Sequence, residues 1–398
     1  MPSSLPILSQ SPTDPDFVQN PYAFYDRARA AGRVVYWQDY DLPCVFGFAA
    51  ANQILRDRRF GREIPEDRRP PIAPHTAPFY ALEAHSMLEL EPPRHTRLRR
   101  LVLKAFTSRR IDALRPGIEA LANDLIDAFP ASGSFDLLTA YAQTIPVVTI
   151  CRLLGVPETM QAQLLDWSHA MVAMYQAGRS RATEDAAARA STDFAAFMRA
   201  YIDERRKRPA DDLLTSLIEA EESGEHLSTD ELITTCILLL NAGHEATVHG
   251  IGNGVKTLLE QGGPRDWLAP DRLEGTIEEL LRFDPPLHMF TRWAYDRVEV
   301  MGHVFEPGDE VGVMIAAAGR DPAIWDDPAR FNPGRPAKPH LAFGVGLHFC
   351  VGAPLARLEM QVALPLLFER APGLHLAEVP RYAGTYHFHG LSALPVAL

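Results

Sequence analysis

A glycine-rich segment around a single cysteine limits the folds open to this chain. Residues 343–352 read Phe-Gly-Val-Gly-Leu-His-Phe-Cys-Val-Gly, so Cys350 is preceded by Gly344 and Gly346 and followed by Gly352. Glycines remove side chains and permit unusual dihedrals, which gives room for a flat macrocycle pressed against the backbone. Backbone N–H groups turned toward the sulfur would stabilise a thiolate. The segment therefore favours a thiolate ligand to iron, the alternative being a buried structural cysteine in a turn.

Length, charge and cysteine usage exclude several classes of protein. The 398 residues contain no linker, charge block or repeat, so we expect one domain over residues 1–398. Cys44, Cys151, Cys236 and Cys350 show neither metal-finger nor paired-bridge spacing, which fits a reducing compartment. No leader and no run of about 20 apolar residues is visible, so we expect a cytoplasmic protein with no membrane partner. The net charge of -12 argues against a nucleic-acid partner.

The pattern of residues predicts a mainly α fold with small β-sheet regions. Residues 1–20 are rich in Pro, Ser and Asp and predict an extended arm with little order. Short strands are indicated in residues 33–48 and 298–315, and nearly everything between them reads as helix. The clearest helix opens with a capping box at residues 228–231 and ends at residues 262–263. It is about 45 to 50 Å long, enough to cross a domain, and its apolar residues on several faces predict burial.

The middle of that helix carries polar residues that suit proton delivery. Residues 242–247 read Ala-Gly-His-Glu-Ala-Thr, and Gly243 and Thr247 lower helix propensity. A glycine lets a ligand approach the backbone, and a threonine hydroxyl bonded four residues back opens the helix into a local bulge. Activation of oxygen at iron needs protons, which Thr247 and Glu245 would supply. The alternative is a helix kink with an incidental acidic residue.

Two further groups of residues predict an ion pair and an anion site. Glu279 and Arg282 lie three residues apart, which places both on one face of a helix, where they can pair. An ordinary ion pair at the surface would have the same spacing. His95 and Arg99 lie four apart and form a basic face, which would suit an anionic group or simply face solvent.

These motifs together resemble the cytochrome P-450 superfamily, most closely its soluble bacterial type, over essentially the full length. The Cys350 loop and the residues 353–359 that follow resemble the family's ligand loop and next helix. Residues 242–247 are similar to its oxygen-activating segment. Glu279 and Arg282 are similar to its E-x-x-R motif, and Arg335 matches the arginine that joins this pair.

The resemblance implies a cofactor and its contacts. A cytochrome P-450 fold is a single large helical domain whose long central helix crosses the haem, here heme b (iron protoporphyrin IX) with an axial thiolate from Cys350. Glu279, Arg282 and Arg335 would hold the scaffold of the ligand loop. The residues that would contact the haem or its propionates are His95, Arg99, Arg292, His348, Phe343, Gly344, Gly352, Ala242 and Gly243.

The implied activity is that of a monooxygenase, which uses dioxygen and two electrons to hydroxylate or epoxidise a small to medium apolar substrate. Thr247 and Glu245 would be its catalytic residues. Three alternatives stay open: a non-enzymatic haem-thiolate protein that binds a gas or ligand, peroxide-driven oxidation by the same fold, and desaturation.

Electrons would come from a separate protein, because the chain shows neither a cluster-type cysteine run nor a dinucleotide fingerprint. We expect a ferredoxin or flavodoxin with its reductase, which a local cluster of basic residues would attract. The alternative is that this cluster is a solvated helix face with no partner. We expect a monomer. The predicted docking residues are Arg97, Arg100, Lys104, Arg109, Arg110 and Arg357.

An apolar and adaptable substrate cavity is also implied, with His288 and His387 as candidates for a polar contact. Each lining residue could equally be ordinary core. The predicted lining residues are Met87, Leu88, Met171, Met174, Ile237, Leu287, Met289, Phe290 and Phe388.

Overall fold

The computed structural model describes residues 5–176, 178–222, 227–336 and 338–398, and α-helices dominate it. This confirms the predicted fold class. Among these residues, no helix is both long enough and apolar enough to span a lipid bilayer. The helices are α1 (Pro15–Gln19), α2 (Tyr22–Ala31), α3 (Phe48–Arg56), α4 (Ala77–Glu83), α5 (Arg94–Ala105), α6 (Ser108–Asp112), α7 (Arg115–Asp127), α8 (Thr144–Leu154), α9 (Gln161–Val172), α10 (Arg181–Lys207), α11 (Leu213–Glu222), α12 (Thr229–Gln261), α13 (Pro264–Trp267), α14 (Leu273–Phe283), α15 (Ile315–Gly319) and α16 (Ala353–Arg370).

The strands are short and form small sheets. They are β1 (Ile7–Leu8), β2 (Val35–Trp37), β3 (Leu42–Val45), β4 (Phe60–Gly61), β5 (Phe135–Asp136), β6 (Phe290–Ala294), β7 (Val298–Val300), β8 (His303–Phe305), β9 (Glu310–Val313), β10 (His375–Leu376), β11 (Arg381–Tyr382), β12 (Leu391–Ala393) and β13 (Pro395–Ala397). The largest sheet has the order β1-β2-β3-β9-β6-β4, beside sheets β10-β13-β5, β11-β12 and β7-β8.

Both predicted strand regions are confirmed. In the first, β2 and β3 form an antiparallel pair with Val35 opposite Cys44. In the second, β7 and β8 form a hairpin and β9 joins the large sheet. The strand β6 was not predicted, because it interrupts its apolar residues with Arg292 and follows two prolines. Its placement next to β9 carries Arg292 to the site described below.

The N-terminal residues are better ordered than predicted. Residues Ile7–Leu8 pair in parallel with β2, so the expectation of an extended arm with little order is wrong from this strand onward. Asp14 caps α1 by accepting hydrogen bonds of 2.9 Å from the backbone N–H groups of Asp16 and Phe17. Phe17 is buried against Trp37, with ring centroids 5.9 Å apart. Aromatic packing of this kind supplies the free energy that orders the segment.

The long helix α12 begins and ends as predicted. Ser228 and Glu231 form the reciprocal capping box, and Gly262 ends the helix in a left-handed conformation with φ of 78°. The 33 residues between give a length of about 50 Å at 1.5 Å each. The helix packs against α8, α14 and α16 and carries the middle of the site.

The expected local bulge in α12 is wrong, because the helix is α-helical throughout. Gly243 has a packing role instead: a Cβ placed there would lie 2.7 Å from Cγ1 of Ile150, on α8. The glycine therefore allows α8 to approach α12 closely. The same residue also lines the cavity described below.

Candidate active site

A cavity of about 310 Å³ lies between the middle of α12, the cysteine loop, α5 and β6. Most of the predicted site residues meet around it, although they come from distant parts of the chain. The predicted residues that line it are Met87, Leu88, His95, Arg99, Met171, Ile237, Ala242, Gly243, Glu245, Thr247, Leu287, Phe290, Arg292, Phe343, Gly344, His348, Cys350, Gly352 and Phe388.

Two predicted lining residues face elsewhere. Met289 packs in a separate apolar cluster with Trp37 and Cys44. Since side chains alternate across a strand, Phe290 and Arg292 face the cavity while Met289 points to the other side. Met174 is buried in the main helical core, and its neighbour Tyr175 lines the cavity instead. His288 is fully buried and hydrogen bonds through Nδ1 to the Tyr25 hydroxyl at 2.8 Å, so it does not line the cavity either.

The cysteine loop owes its shape to two glycines. Gly344 and Gly346 have φ of 66° and 79°, a region that residues with a side chain rarely adopt. A Cβ at Gly346 would also lie 2.4 Å from the backbone oxygen of Leu55. The loop closes through a 3.0 Å hydrogen bond from the N–H of Cys350 to the carbonyl of Phe343. This closure directs the cysteine to the cavity.

Positive charge and hydrogen-bond donors around Cys350 counteract the effect of burial on the pKa of its thiol. Burial raises the pKa of the thiol, whereas hydrogen bonds from the backbone N–H groups of Gly352 and Ala353 lower it. The guanidinium groups of Arg99 and Arg357 lower it further. Ala353 is the first residue of α16, so the sulfur faces the positive end of a helix. Such donors would stabilise a thiolate bound to a metal ion.

Arg292 is a buried cation that forms no ion pair within the described part of the chain. Its side chain lines the cavity, the residue is 5% exposed, and its Nη1 donates to the carbonyl of Thr291 at 2.8 Å. Across the described ranges, no carboxylate forms an ion pair with it. Burial and the charge of Arg62 lower the pKa of Arg292 to about 9. An uncompensated buried charge is costly, which points to an anionic group that belongs here.

His95, His348 and Arg99 extend this anion site. His95 is 1% exposed, and its Nδ1 is buried without a hydrogen-bond partner. Burial, together with His348 and Arg99, lowers the pKa of His95 to about 4. The two imidazole rings lie 4.4 Å apart, and Nε2 of His348 lies 2.8 Å from Oε1 of Glu91. Nη2 of Arg99 donates to the carbonyl of Phe349 at 2.6 Å. The unpartnered Nδ1 of His95 and the guanidinium of Arg99 are suited to bind the carboxylates of a macrocycle.

Three imidazole rings surround the Glu245 carboxylate. The distances from its oxygens to Nε2 are 3.4 Å for His169, 3.6 Å for His244 and 3.4 Å for His249. Burial alone raises the pKa of Glu245. Hydrogen bonds from His169 and His249, together with the charges of His249 and His244, outweigh burial and hold this pKa well below its ordinary value. The acid is therefore ionised beside Thr247, which lines the same cavity. The contact of His249 with Glu245 could have been predicted from their four-residue spacing on α12. The contact of His169 could not, because His169 lies on α9.

Only one member of a second polar group, His387, was predicted from the sequence. Arg62 and Glu83 line the cavity along with Tyr175 and His387. The Tyr175 hydroxyl donates to Oε2 of Glu83 at 2.8 Å, and Arg62 forms an ion pair with Glu89. No motif marks these residues, because 92 positions separate Glu83 from Tyr175.

The predicted docking face is partly neutralised. Arg97 donates to Glu231 at 3.0 Å, Arg110 to Asp211 at 3.2 Å, and Nε of Arg357 to Oε1 of Glu278 at 2.6 Å. The side chains of Arg100, Lys104 and Arg109 are exposed. Beside them, Leu103 and Phe349 are exposed by 45% and 38%, which is unusual for large apolar residues.

Comparison with known proteins places these features in a family context. The family model described as Cytochrome P450 matches residues 60–261 and 272–370. The chain is 37% identical over 406 residues to the cytochrome P450 monooxygenase PikC of Streptomyces venezuelae, covering 99% of this chain and 95% of that protein. It is 39% identical over 296 residues to the mycinamicin IV hydroxylase/epoxidase of Micromonospora griseorubida, covering 73% of each.

A solved structure agrees with these sequence matches. The crystal structure of P450BioI in complex with hexadec-9Z-enoic acid ligated acyl carrier protein superposes with a TM-score of 0.90 and 32% sequence identity. The alignment covers 97% of this chain and 100% of that chain. The region matched by the family model contains every predicted site residue except His387 and Phe388.

Proposed function

The chain belongs to the cytochrome P450 family and is a P450 monooxygenase, and on this premise we propose how its own residues serve that reaction. We propose that it transfers one atom of dioxygen to a small to medium apolar molecule by hydroxylation or epoxidation, within a single domain. The observation that carries the proposal is the pair of backbone N–H groups, of Gly352 and Ala353, directed at the sulfur of Cys350.

The family implies haem with cysteine thiolate ligation, and the residues present fit that group. We propose that the group is heme b, that the thiolate of Cys350 would ligate its iron, and that Phe343, Gly344, Gly352, Ala242 and Gly243 would line its binding site. The thiolate-bound haem supplies the activation of dioxygen and the cleavage of its O–O bond. The residues proposed to neutralise its propionates are His95, Arg99, Arg292 and His348. The buried charge of Arg292 and the unpartnered Nδ1 of His95 support this role.

Thr247 and Glu245 are the proposed route for protons. The Thr247 hydroxyl is both donor and acceptor at the cavity wall, and Glu245 is an ionised acceptor two residues away. Its neighbour His169 is half exposed, so protons from solvent have a short path to the carboxylate. The cavity walls beside them are mainly apolar, formed by residues such as Met87, Met171 and Phe290, and would exclude bulk water from this path.

Electrons are proposed to come from a small acidic protein, a ferredoxin or flavodoxin. The exposed side chains of Arg100 and Arg109 would steer this partner, and the exposed Phe349 and Leu103 would give it an apolar contact. The Phe349 backbone is adjacent to Cys350, so a partner on this face would sit close to the proposed ligand.

The test of the proposal is the absorbance of the reduced protein under carbon monoxide. Thiolate and imidazole ligation give widely separated Soret bands, so the wild type should show the thiolate band and Cys350→His the imidazole band. Cys151→Ser is the matched control, because that thiol is buried and lies outside the cavity lining. A thiolate band that persists in both Cys350→His and Cys350→Ser would refute the ligand assignment.

Catalysis is tested separately from haem binding. Thr247→Ala should divert electrons to hydrogen peroxide, whereas Thr247→Ser should retain coupling because it keeps the hydroxyl. Unaltered electron use in Thr247→Ala would favour a protein that only binds a gas or ligand. Full turnover with peroxide and no reductase would favour peroxide-driven oxidation.

A further inference from the structure

Besides the polar residues assigned above to haem binding and proton delivery, the cavity contains a further polar cluster. This cluster consists of Arg62, Glu83, Tyr175 and His387, which come from four separate segments of the chain. Its apolar neighbours include Phe79 and Leu82. Polar groups that converge in an apolar cavity orient a ligand, since each buried polar atom needs a partner.

Among the described residues, the carboxyl group of Glu83 in the polar cluster has no ion-pair partner. Arg62 is already paired with Glu89, whose side chain is 27% exposed. Glu83 receives a hydrogen bond from the Tyr175 hydroxyl, and among the residues described this is its one direct partner. Burial, followed by the charge of Arg62, lowers the pKa of His387 to about 4, so this ring is neutral. Glu83 therefore presents to the cavity a carboxyl group that forms no ion pair with any cation in the described part of the chain.

We propose that Glu83 recognises a basic amine on the substrate, whose ammonium group pairs with the carboxylate while the apolar remainder packs against Met87, Met171 and Phe290. This assignment deepens the proposed function, because it names the class of molecule that the cavity takes. A charged hydrogen bond inside an apolar cavity is stronger than one in water. A fatty acid supplies no positive charge, and its own carboxylate would oppose ionisation of Glu83, so the cluster discriminates between two chemistries of similar shape.

The raised pKa of Glu83 is consistent with recognition of an amine. Burial and the negative charge of Glu89 raise the pKa of Glu83 to about 8, although Tyr175 and Arg62 act in the opposite direction. A neutral acid in the free protein avoids the cost of an unpaired buried charge. An ammonium group supplies the missing charge, so Glu83 releases its proton when the amine binds.

The experiment measures binding by calorimetry with three ligands of matched chain length: decyldimethylamine, decanol and decanoate. The haem-loaded protein is used, below the micelle concentration of each ligand. The wild type should bind the amine about tenfold or more tightly than the alcohol, and decanoate most weakly. Glu83→Gln should lose the preference for the amine, and Glu83→Asp, which keeps the charge, should retain part of it.

Absorbance spectra recorded in parallel distinguish binding of the amine at Glu83 from binding of its nitrogen to the iron. An amine that binds through its nitrogen to iron gives a low-spin spectrum, and such a spectrum in both the wild type and Glu83→Gln would overturn the proposal. Equal affinities for the amine and the alcohol in the wild type would overturn it too. Neither result affects the monooxygenase assignment, which depends on the carbon monoxide spectrum of the reduced protein.

Discussion

Glu279 and Arg282 form a two-point ion pair in the protein core: Nε and Nη2 of Arg282 each lie 2.7 Å from a carboxylate oxygen of Glu279. The two residues are 4% and 2% exposed. Nε of Arg335 lies 3.4 Å from the same carboxylate, and Nη1 of Arg282 donates to the carbonyls of Gly319 and Pro328. The pair therefore holds α14 to the chain that leads into the cysteine loop.

Glu279→Gln should lower the free energy of unfolding by about 3–5 kcal/mol, because it leaves the buried guanidinium of Arg282 without a charge partner. Urea denaturation of the purified protein measures this loss. The control is Glu278→Gln, at the next position of α14, where the ion pair with Arg357 is about one-third exposed. We expect that variant to lose about 1 kcal/mol. Equal losses would show that Glu279 has no special structural role.

Arg292→Leu should speed the release of haem by about tenfold or more, because it would remove the proposed charged hydrogen bond to a propionate. Transfer of haem to an excess of apomyoglobin measures the rate. The apoprotein should respond in the opposite sense and gain stability, since the variant removes an uncompensated buried charge. Arg297→Leu is the control, because that exposed arginine pairs with Glu306. Unchanged release by Arg292→Leu would contradict the propionate assignment.

Local signals in the sequence predicted the parts of the structure that depend on neighbouring residues. The capping box at Ser228 and the glycine at Gly262 set the bounds of α12 correctly, because both act within one turn. Gly344 and Gly346 predicted the unusual dihedrals of the cysteine loop for the same reason. The convergence of these segments on one cavity followed from family resemblance, and spacing alone would not have given it.

The errors arose where tertiary contacts decide. The order of the N-terminal segment depends on the packing of Phe17 against Trp37, and the close approach of Ile150 decides the role of Gly243. Met289 was misplaced because the strand that fixes its direction was not predicted. The pairing of Glu83 with Tyr175 had no local signal, since the two residues meet only through packing of α4 against the turn that follows α9.

Arg100→Glu should slow reduction by an acidic ferredoxin by about tenfold at low ionic strength, because it reverses a charge on the proposed docking face. Stopped-flow reduction kinetics measure the effect, which added salt should diminish. Arg189→Glu makes the same change in net charge at an exposed position on α10 and should have little effect. Reduction slowed equally by both variants would point to net charge rather than to a docking site.

His169→Gln should destabilise the protein slightly at low pH only. The hydrogen bond with Glu245 raises the pKa of His169 above its ordinary 6.5. The ion pair therefore stabilises the folded state fully below that ordinary value, and its contribution disappears as pH rises through the raised pKa. Because the side chain is 50% exposed, we expect only about 0.5 kcal/mol. Thermal unfolding at about pH 5.5 and pH 9 measures it, with His375→Gln on β10 as control. A deficit of equal size at both pH values would contradict the ion pair.

Glu83→Gln should gain stability relative to the wild type as pH rises. The pKa of Glu83 is raised from 4.5 to about 8 by burial and by Glu89, against the influence of Tyr175 and Arg62. His387 in the same cluster is neutral in this range. The folded state thus binds a proton that the unfolded state releases above about pH 4.5, so the wild type loses stability until the folded acid ionises near pH 8.

Glutamine cannot ionise, so the difference between Glu83→Gln and the wild type should be small at about pH 4.5 and reach about 1–3 kcal/mol at about pH 9. Chemical denaturation of the substrate-free protein at both pH values measures it. Glu63→Gln, whose side chain pairs with Arg69 and Arg94 at the surface, is the control and should show no such gain. A saturating amine should reverse the trend, because the ammonium group stabilises the ionised carboxylate of the wild type alone. A pH-independent difference would mean that Glu83 is solvated like an ordinary surface acid, and the charge argument for an amine substrate would fail with it.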